Sequence, residues 1–183
     1  KGDMMEKLYG PIMQMGFVVD NFEDPIKHWT EKLNVGPFFI LEHLDLKDFH
    51  YRGSKSDIDF SVAISFSGDM QIELIKQHCD TPSIYNEFSE IKRGDLHHIC
   101  RLTPDINNDI KILENQGYKN IQGGETEDSG IKFAYLDAQE NYGSILELAE
   151  LAEENLALTE AMKNASKNWD KKVSIMELEE ILT

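Results

Sequence analysis

Two stretches of the chain carry the same succession of apolar and polar positions. Residues 12–34 (IMQMGFVVDNFEDPIKHWTEKLN) and 96–118 (LHHICRLTPDINNDIKILENQGY) each open on an apolar run, pass through an acidic turn and continue with a helical period. They stand at a constant offset of 84 residues (96 − 12). Repetition at fixed spacing exposes architecture that local propensity misses. In the first copy Asp24 suits the N-cap and Pro25 the first helical position, with Ile26, Trp29 and Leu33 on one face. In the second, Asp105 suits the cap, Ile106, Ile110 and Leu113 form the stripe, and Gly117 suits the stop. Both predict an amphipathic helix lying on a sheet.

Strand periods follow each helix. Between Asp57 and Phe66 the residues Ile58, Phe60, Val62, Ile64 and Phe66 alternate with small or polar ones, which predicts a half-buried strand. Gly36 to His43 precedes it as a strand, and Met70 to Lys76 follows across a Ser67-Gly68-Asp69 turn. The second half repeats the order more compactly, with a short strand near Asn120, then Ile131 to Leu136 and Ser144 to Ala149. The pattern therefore predicts an α+β fold of paired βαβββ modules at 8–77 and 94–150, which together make one domain over 8–150. A linker with Pro82 and a helical turn at Tyr85 to Ile91 joins them. Residues 151–183 read as a C-terminal extension of two helices, with Leu156, Met162 and Trp169 packing back and a Ser174/Glu177 capping box on the last. Its acidic residues read as a solvated face without chemistry.

Composition narrows the function. The chain has 183 residues, 40% hydrophobic and 28% charged, the balance of a folded globular protein. A formal net charge of −16 argues against nucleic acid or an anionic membrane as partner, since both need clustered Lys and Arg. No apolar stretch approaches a spanning helix, and Lys1 to Gln14 lacks the apolar core of a signal peptide, so a cytoplasmic protein is the expectation. Cys79 and Cys100, the only two cysteines, have no CxxC spacing and read as small buried hydrophobes.

Chemistry is sought where polar residues stand in apolar positions, because a buried polar group is costly unless partnered. Four stand out. Gln14 shares a strand face with Ile12 and Val18, and His98 holds the matching place in the second copy. Glu73 sits in QIELI and Glu147 in ILELA, a second repeated motif at an offset of 74 (147 − 73). Each module thus offers one polar residue on its first strand and one carboxylate on its last. Those two strands are neighbours in a βαβββ module, so the paired modules should form a U-shaped metal-binding cleft with all four residues inward. One imidazole, two carboxylates and one amide oxygen suit Zn²⁺, Mn²⁺, Ni²⁺ or Co²⁺. His97 should face the other side of its strand and be structural. His28 falls on a helix, and His43, His50 and His78 at strand ends or loops.

The runs IMQMGFVVDNFEDPIKHWTEKLNVGPF, QIELI, LHHICRL and YGSILELAE resemble the vicinal oxygen chelate superfamily, which includes glyoxalase I, methylmalonyl-CoA epimerase, extradiol dioxygenases and bleomycin-resistance proteins. The resemblance covers roughly residues 8–150 and implies paired βαβββ modules with metal ligands at the four positions. LHHI, GSILEL and VGPF look like the epimerases, which carry His where this chain has Gln14. The order Gln14, Glu73, His98, Glu147 looks like eukaryotic glyoxalase I. Both branches imply proton transfer next to a carbonyl, on a thioester or a hemithioacetal. By that resemblance Glu147 is the catalytic base and Glu73 its opposite number. The bleomycin-resistance branch implies instead a non-catalytic small-molecule binding protein. A homodimer is expected, and loops at Lys47 to Ser56 and Gln122 to Ser129 are expected to line the cleft.

Overall fold

A computed structural model of the chain describes residues 10–92, 95–138 and 145–182. The extreme ends of both predicted modules at residues 8, 9 and 94, and the predicted strand start at Ser144, lie outside them. The first module runs β1 (Ile12–Val18), α1 (Glu23–Glu31), β2 (Phe39–Leu41), β5 (Phe60–Ser67) and β6 (Met70–Gln77). The second runs β7 (Leu96–Leu102), α3 (Ile106–Glu114), β8 (Lys119–Thr126), β9 (Lys132–Asp137) and β10 (Ile145–Glu150). Between β2 and β5 lies a hairpin, β3 (Leu46–Tyr51) with β4 (Ser54–Lys55), and α2 (Ile84–Lys92) joins the modules. The strands form one curled mixed sheet in the order β2-β5-β6-β1-β7-β10-β9-β8-β3-β4. First and last strands of each module are parallel neighbours, and β1 meets β7 antiparallel at the centre.

The convex face is covered by helices. Ile26 of α1 packs with Phe38, Ala63, Ile72 and Leu74, and Ile106 and Leu113 of α3 pack with Ala134, Leu136 and Leu148. The concave face carries Val18, Phe60, Val62, Ile75, Phe133 and Tyr135, closed at one end by Ile84 and Tyr85 of α2.

Several sequence expectations shift. Asp24 does not cap α1: the N-cap residue is Phe22, without a side-chain cap bond, and the side-chain oxygen of Asn21 just before it accepts the Asp24 N–H at 2.9 Å. Leu33 falls beyond the helix end and is exposed. In the second copy Asp105 caps as predicted, accepting from Asn108 N–H at 3.0 Å, and Gly117 takes a positive φ of 96°. Strand β5 is buried on both faces rather than one: Ala63 packs with Ile26 of α1, Ser65 is buried, and the Ser61 hydroxyl accepts from His43 N–H and pairs with His78 Nε2. The Gly36–His43 strand shrinks to three residues, and the short strand near Asn120 grows to eight.

The Lys47–Ser56 segment, expected as a loop, is strand. It crosses to pair with β8 on the far edge, Leu46 opposite Thr126 and His50 opposite Gly123. Its strand partners lie 71 (122 − 51) to 80 (126 − 46) positions along the chain, and Asp48 and Arg52 sit at φ 53° and 47°, which breaks the alternation that a local reading relies on. The extension holds one helix, α4 (Glu153–Lys167), not two. Beyond it Phe38 and Ile175 form a parallel bridge, with Phe38 N–H donating to Ser174 O at 2.9 Å and Met176 N–H to Phe38 O at 3.0 Å. Ser174 therefore caps nothing, and Glu177 opens only a 3₁₀ turn at Leu178–Glu180.

Asp105→Ala should cost about 1 kcal/mol of stability and Asn21→Ala a similar amount. Asp24→Ala, whose carboxylate caps no backbone N–H, should cost less. Urea unfolding of the three variants gives the order, and a larger loss for Asp24→Ala than for Asn21→Ala would contradict it.

Candidate metal centre

The register of four central strands builds the site. Glu147 on β10 lies beside Cys100 on β7, Cys100 beside Gln14 on β1, and Gln14 beside Gln71 on β6. In the next row Ile145, His98, Gly16 and Glu73 follow in the same order. Residues two apart share a face, so Gln14, Gln71, Glu73, His98 and Glu147 meet on the floor of the concave face.

Gly16 makes the convergence possible. A β-carbon there would stand 1.9 Å from His98 Cε1 and 2.3 Å from Nε2, so the imidazole occupies the space a side chain would fill. Lying over Gly16, the ring reaches across β1. Its Nε2 is 3.0 Å from Gln14 Oε1, 3.0 Å from Glu147 Oε2 and 3.3 Å from Glu73 Oε2. His98 is fully buried, and the Glu73 and Glu147 side chains are 12% and 10% exposed. One ring nitrogen carries at most one proton, so it cannot satisfy three oxygens. The Oε2 atoms of Glu73 and Glu147 are indeed buried without a hydrogen-bonded partner.

A surrounding layer orients these groups. Gln14 Nε2 donates to Gln71 Oε1 at 2.5 Å, which turns the amide oxygen of Gln14 toward His98. His97 and His98 face each other through their Nδ1 atoms at 3.0 Å. The β1–β7 register slips between Gly16/His98 and Phe17/Leu96, leaving His97 as the extra residue of a bulge. That slip is why His97 touches His98 instead of standing on the opposite face as alternation predicted. Its ring is edge-on to Phe88 at 4.9 Å and tilted against Tyr85 at 5.7 Å. Burial, then the charge on His98, pushes His97 well below the usual imidazole range.

The floor is electrostatically loaded. Burial opposes charge on His98, but Glu147 and then Glu73 outweigh it and raise the imidazole to about 9. Burial, opposed by His98 and reinforced by Glu147, raises Glu73. Tyr85 and Tyr135, bonded to each other at 2.9 Å, are both raised well above their ordinary value, by burial first and Glu147 second.

All four predicted residues thus come together, with one nitrogen and two carboxylate oxygens of the ligand type within 4.8 Å of one another. Gln71 and Gly16 were missed. Gln71 shares the face of Glu73 two positions away and was readable by the same rule, whereas Gly16 looked like an ordinary strand glycine. His43 and His78, read as unremarkable strand-end residues, are partnered: His43 Nδ1 lies 2.7 Å from Asp59 and His78 Nε2 2.7 Å from the buried Ser61 hydroxyl.

The sequence profile of the Glyoxalase/Bleomycin resistance protein/Dioxygenase superfamily matches residues 13–135, more than half of the chain, and the chain belongs to that superfamily. No curated protein matches it in sequence. Among solved structures it is similar to hypothetical protein BH1468 from Bacillus halodurans C-125, with a TM-score of 0.58 at 20% identity over 78% of this chain and 94% of that one. A methylmalonyl-CoA epimerase from Mycobacterium tuberculosis gives 0.58 at 16% identity, over 82% of this chain and 94% of that one. A methylmalonyl-CoA epimerase in complex with methylmalonyl-CoA and NH4+ gives 0.51 at 13%, over 80% and 96%. At these identities the likeness is one of fold.

Two outcomes follow from the geometry. Gly16→Ala should destabilise the protein by about 1–3 kcal/mol, the cost of an overpacked core, and a urea midpoint equal to wild type would contradict the close approach. The metal-free protein should also carry a pH signature. A His98 value raised from 6.5 to about 9 gives stability that is complete below about pH 6.5 and lost as pH rises through about 9. Chelator-treated wild type should therefore lose more melting temperature between pH 7 and 10 than His98→Gln does, and parallel profiles would remove His98 as the source.

Proposed function

We propose that the protein is a metal-dependent enzyme that moves a proton on and off the carbon next to a carbonyl, with Gln14, Glu73, His98 and Glu147 holding a divalent ion and Glu147 acting as the base. One observation carries the reading: three oxygens crowd one imidazole nitrogen, and two of them are buried carboxylate atoms with no hydrogen bond. A structural cluster of this kind leaves costly lone pairs unmet. A divalent cation in place of the single shared proton would be held by all four donors, and its two charges would balance the two carboxylates. An imidazole with three oxygens is a donor set for Zn²⁺, Ni²⁺, Co²⁺ or Mn²⁺. Superfamily membership and the fold likeness to methylmalonyl-CoA epimerase fit the same class.

Such an ion, when bound, draws electron density from substrate oxygens and acidifies the adjacent C–H bond. The chain's own residues supply the rest. His97 stands against Nδ1 of His98, which leaves Nε2 facing the donor cluster. Gln71 fixes the amide of Gln14 so that an oxygen is presented. Glu147 stands mid-strand on β10 with its carboxylate on the cleft floor, placed to take the proton from carbon. Glu73, raised by burial, stands across from it as the second carboxylate able to carry a proton. The apolar walls around them exclude the water that would level a carboxylate's basicity.

The protein purified without chelator should contain about one divalent ion per chain, as a four-donor site requires, and elemental analysis reads this directly. In deuterated water, methylmalonyl-CoA and the methylglyoxal–glutathione adduct should be followed in parallel by mass spectrometry. Metal-dependent deuterium incorporation into one of them, lost at least ~100-fold in Glu147→Gln, is the expected result. Equal exchange in the variant would remove Glu147 as base. A protein that binds no ion and exchanges neither compound would instead be a small-molecule binding protein of the bleomycin-resistance type.

A further inference from the structure

The C-terminal extension, expected from sequence to pack back on the domain but to carry no chemistry, forms part of the cleft. Leu158 and Met162, one helical turn apart on α4, line the same cavity as Glu73 and Glu147, and Leu178 joins them from the 3₁₀ turn. Met162 is buried against Phe39 and Phe66, which lie on the strands at that edge of the sheet.

The helix is tethered at both ends. Its start is continuous with β10, three residues after Glu150, so the strand that carries Glu147 leads directly into it. Its far end is secured by Trp169, whose indole fills the space over Gly36: a β-carbon there would stand 2.8 Å from the ring. The indole N–H donates to Val173 O at 2.7 Å, and the Phe38–Ile175 bridge follows. Such a helix is a fixed roof rather than a swinging lid.

The space beneath is small and largely apolar. It encloses about 190 Å³. Phe60, Val62, Ile75, Ile131 and Phe133 wall it; Gln14, Gln71, Glu73 and Glu147 on the floor are joined by the Tyr85 and Tyr135 side chains, by Cys100, and by Thr126, Ser129, Asn155 and Thr159 elsewhere in the lining. Among the described residues that line it there is neither Lys nor Arg. A phosphate or carboxylate drawn in away from the floor would meet apolar walls with no Lys or Arg to pair it, a costly burial.

Resting on the metal-dependent reading above, we propose that the roofed cleft admits a compact, apolar-bodied reacting group that presents two adjacent oxygens to the floor, and that any anionic part not held at the floor stays outside. Leu158 and Met162 of α4 select for that body by burying it.

Three small hydroxamates test this, since each offers the same pair of adjacent oxygens. Benzohydroxamate, acetohydroxamate and 4-carboxybenzohydroxamate are titrated calorimetrically into the Zn²⁺-loaded full-length protein at pH 7, and by ligand-observed NMR into chelator-treated protein. Benzohydroxamate should bind at least ~10-fold tighter than either of the others, the scale of burying one aromatic ring without a charge. Leu158→Asp should erase that preference while changing acetohydroxamate little. Leu158 is half-buried, so the fold should tolerate the change, and Leu158→Trp, which narrows the chamber without adding charge, should weaken benzohydroxamate alone. Equal affinities for the three compounds, tighter binding of the carboxylated one, or a preference untouched by both variants would overturn the proposal. The metal-free arm separates the two readings: a benzohydroxamate preference that Leu158→Asp abolishes, in a protein that takes up no Zn²⁺, supports the chamber and overturns the ion.

Discussion

The antiparallel pairing of β1 with β7 is the constraint on which the rest depends. It sets Gly16 directly opposite His98, and only because position 16 carries no side chain can the imidazole lie flat across the strand between the two modules. Every distance on the cleft floor follows from that placement. Shifted one residue, β7 would present His98 to the convex face and leave Glu73 and Glu147 with no nitrogen between them. The slip in register that leaves His97 as an extra residue serves the same end, since it brings the His97 imidazole against Nδ1 and thereby fixes which nitrogen of His98 faces the oxygens.

The charge on the floor explains the shape of the surroundings. Two carboxylates in a dry cleft are unfavourable unless a positive charge sits between them, and His98 raised to about 9 shows how strongly they demand one. A proton on a single nitrogen answers that demand only in part, because it can point at one oxygen at a time. The two unsatisfied Oε2 atoms measure the shortfall. Tyr85 and Tyr135, which spend their hydroxyls on each other, and Cys100, which burial followed by Glu147 raises well above a thiol's ordinary value, stay neutral and add no charge of either sign. The shell around the floor thus orients and insulates without neutralising.

Much of this was legible in the sequence, for a physical reason. The two modules repeat, so a polar residue in a strand could be checked against its counterpart, and Gln14 with His98 and Glu73 with Glu147 stood out twice. Legibility failed where the determining contact is remote or where the informative feature is a missing side chain. Gly16 has no letter-level signal of what lies above it. The β3–β4 hairpin takes its partner from the opposite module, and residues with positive φ interrupt its period. His97 obeyed alternation on paper and escaped it through a bulge. The tail failed differently: Leu158 and Met162 share a helical face that could be read, but nothing local says that this face meets a cleft built from strands a hundred residues earlier.

That last point bears on how such a fold acquires selectivity. The floor comes from paired strands whose register tolerates little change, because each ligand is held by its neighbours across four strands. The roof comes from a segment outside the repeated modules, joined to them through β10, the bridge at Phe38, Trp169 over Gly36 and Met162 against Phe39 and Phe66. Substitutions on the inner face of α4 can therefore alter the size and polarity of the space above the donors without moving the donors themselves. A cleft whose polar floor and whose roof belong to separable parts of the chain can keep the floor while the roof changes what it admits, and in this protein the division falls at Leu151, where β10 has ended and the roof is about to begin.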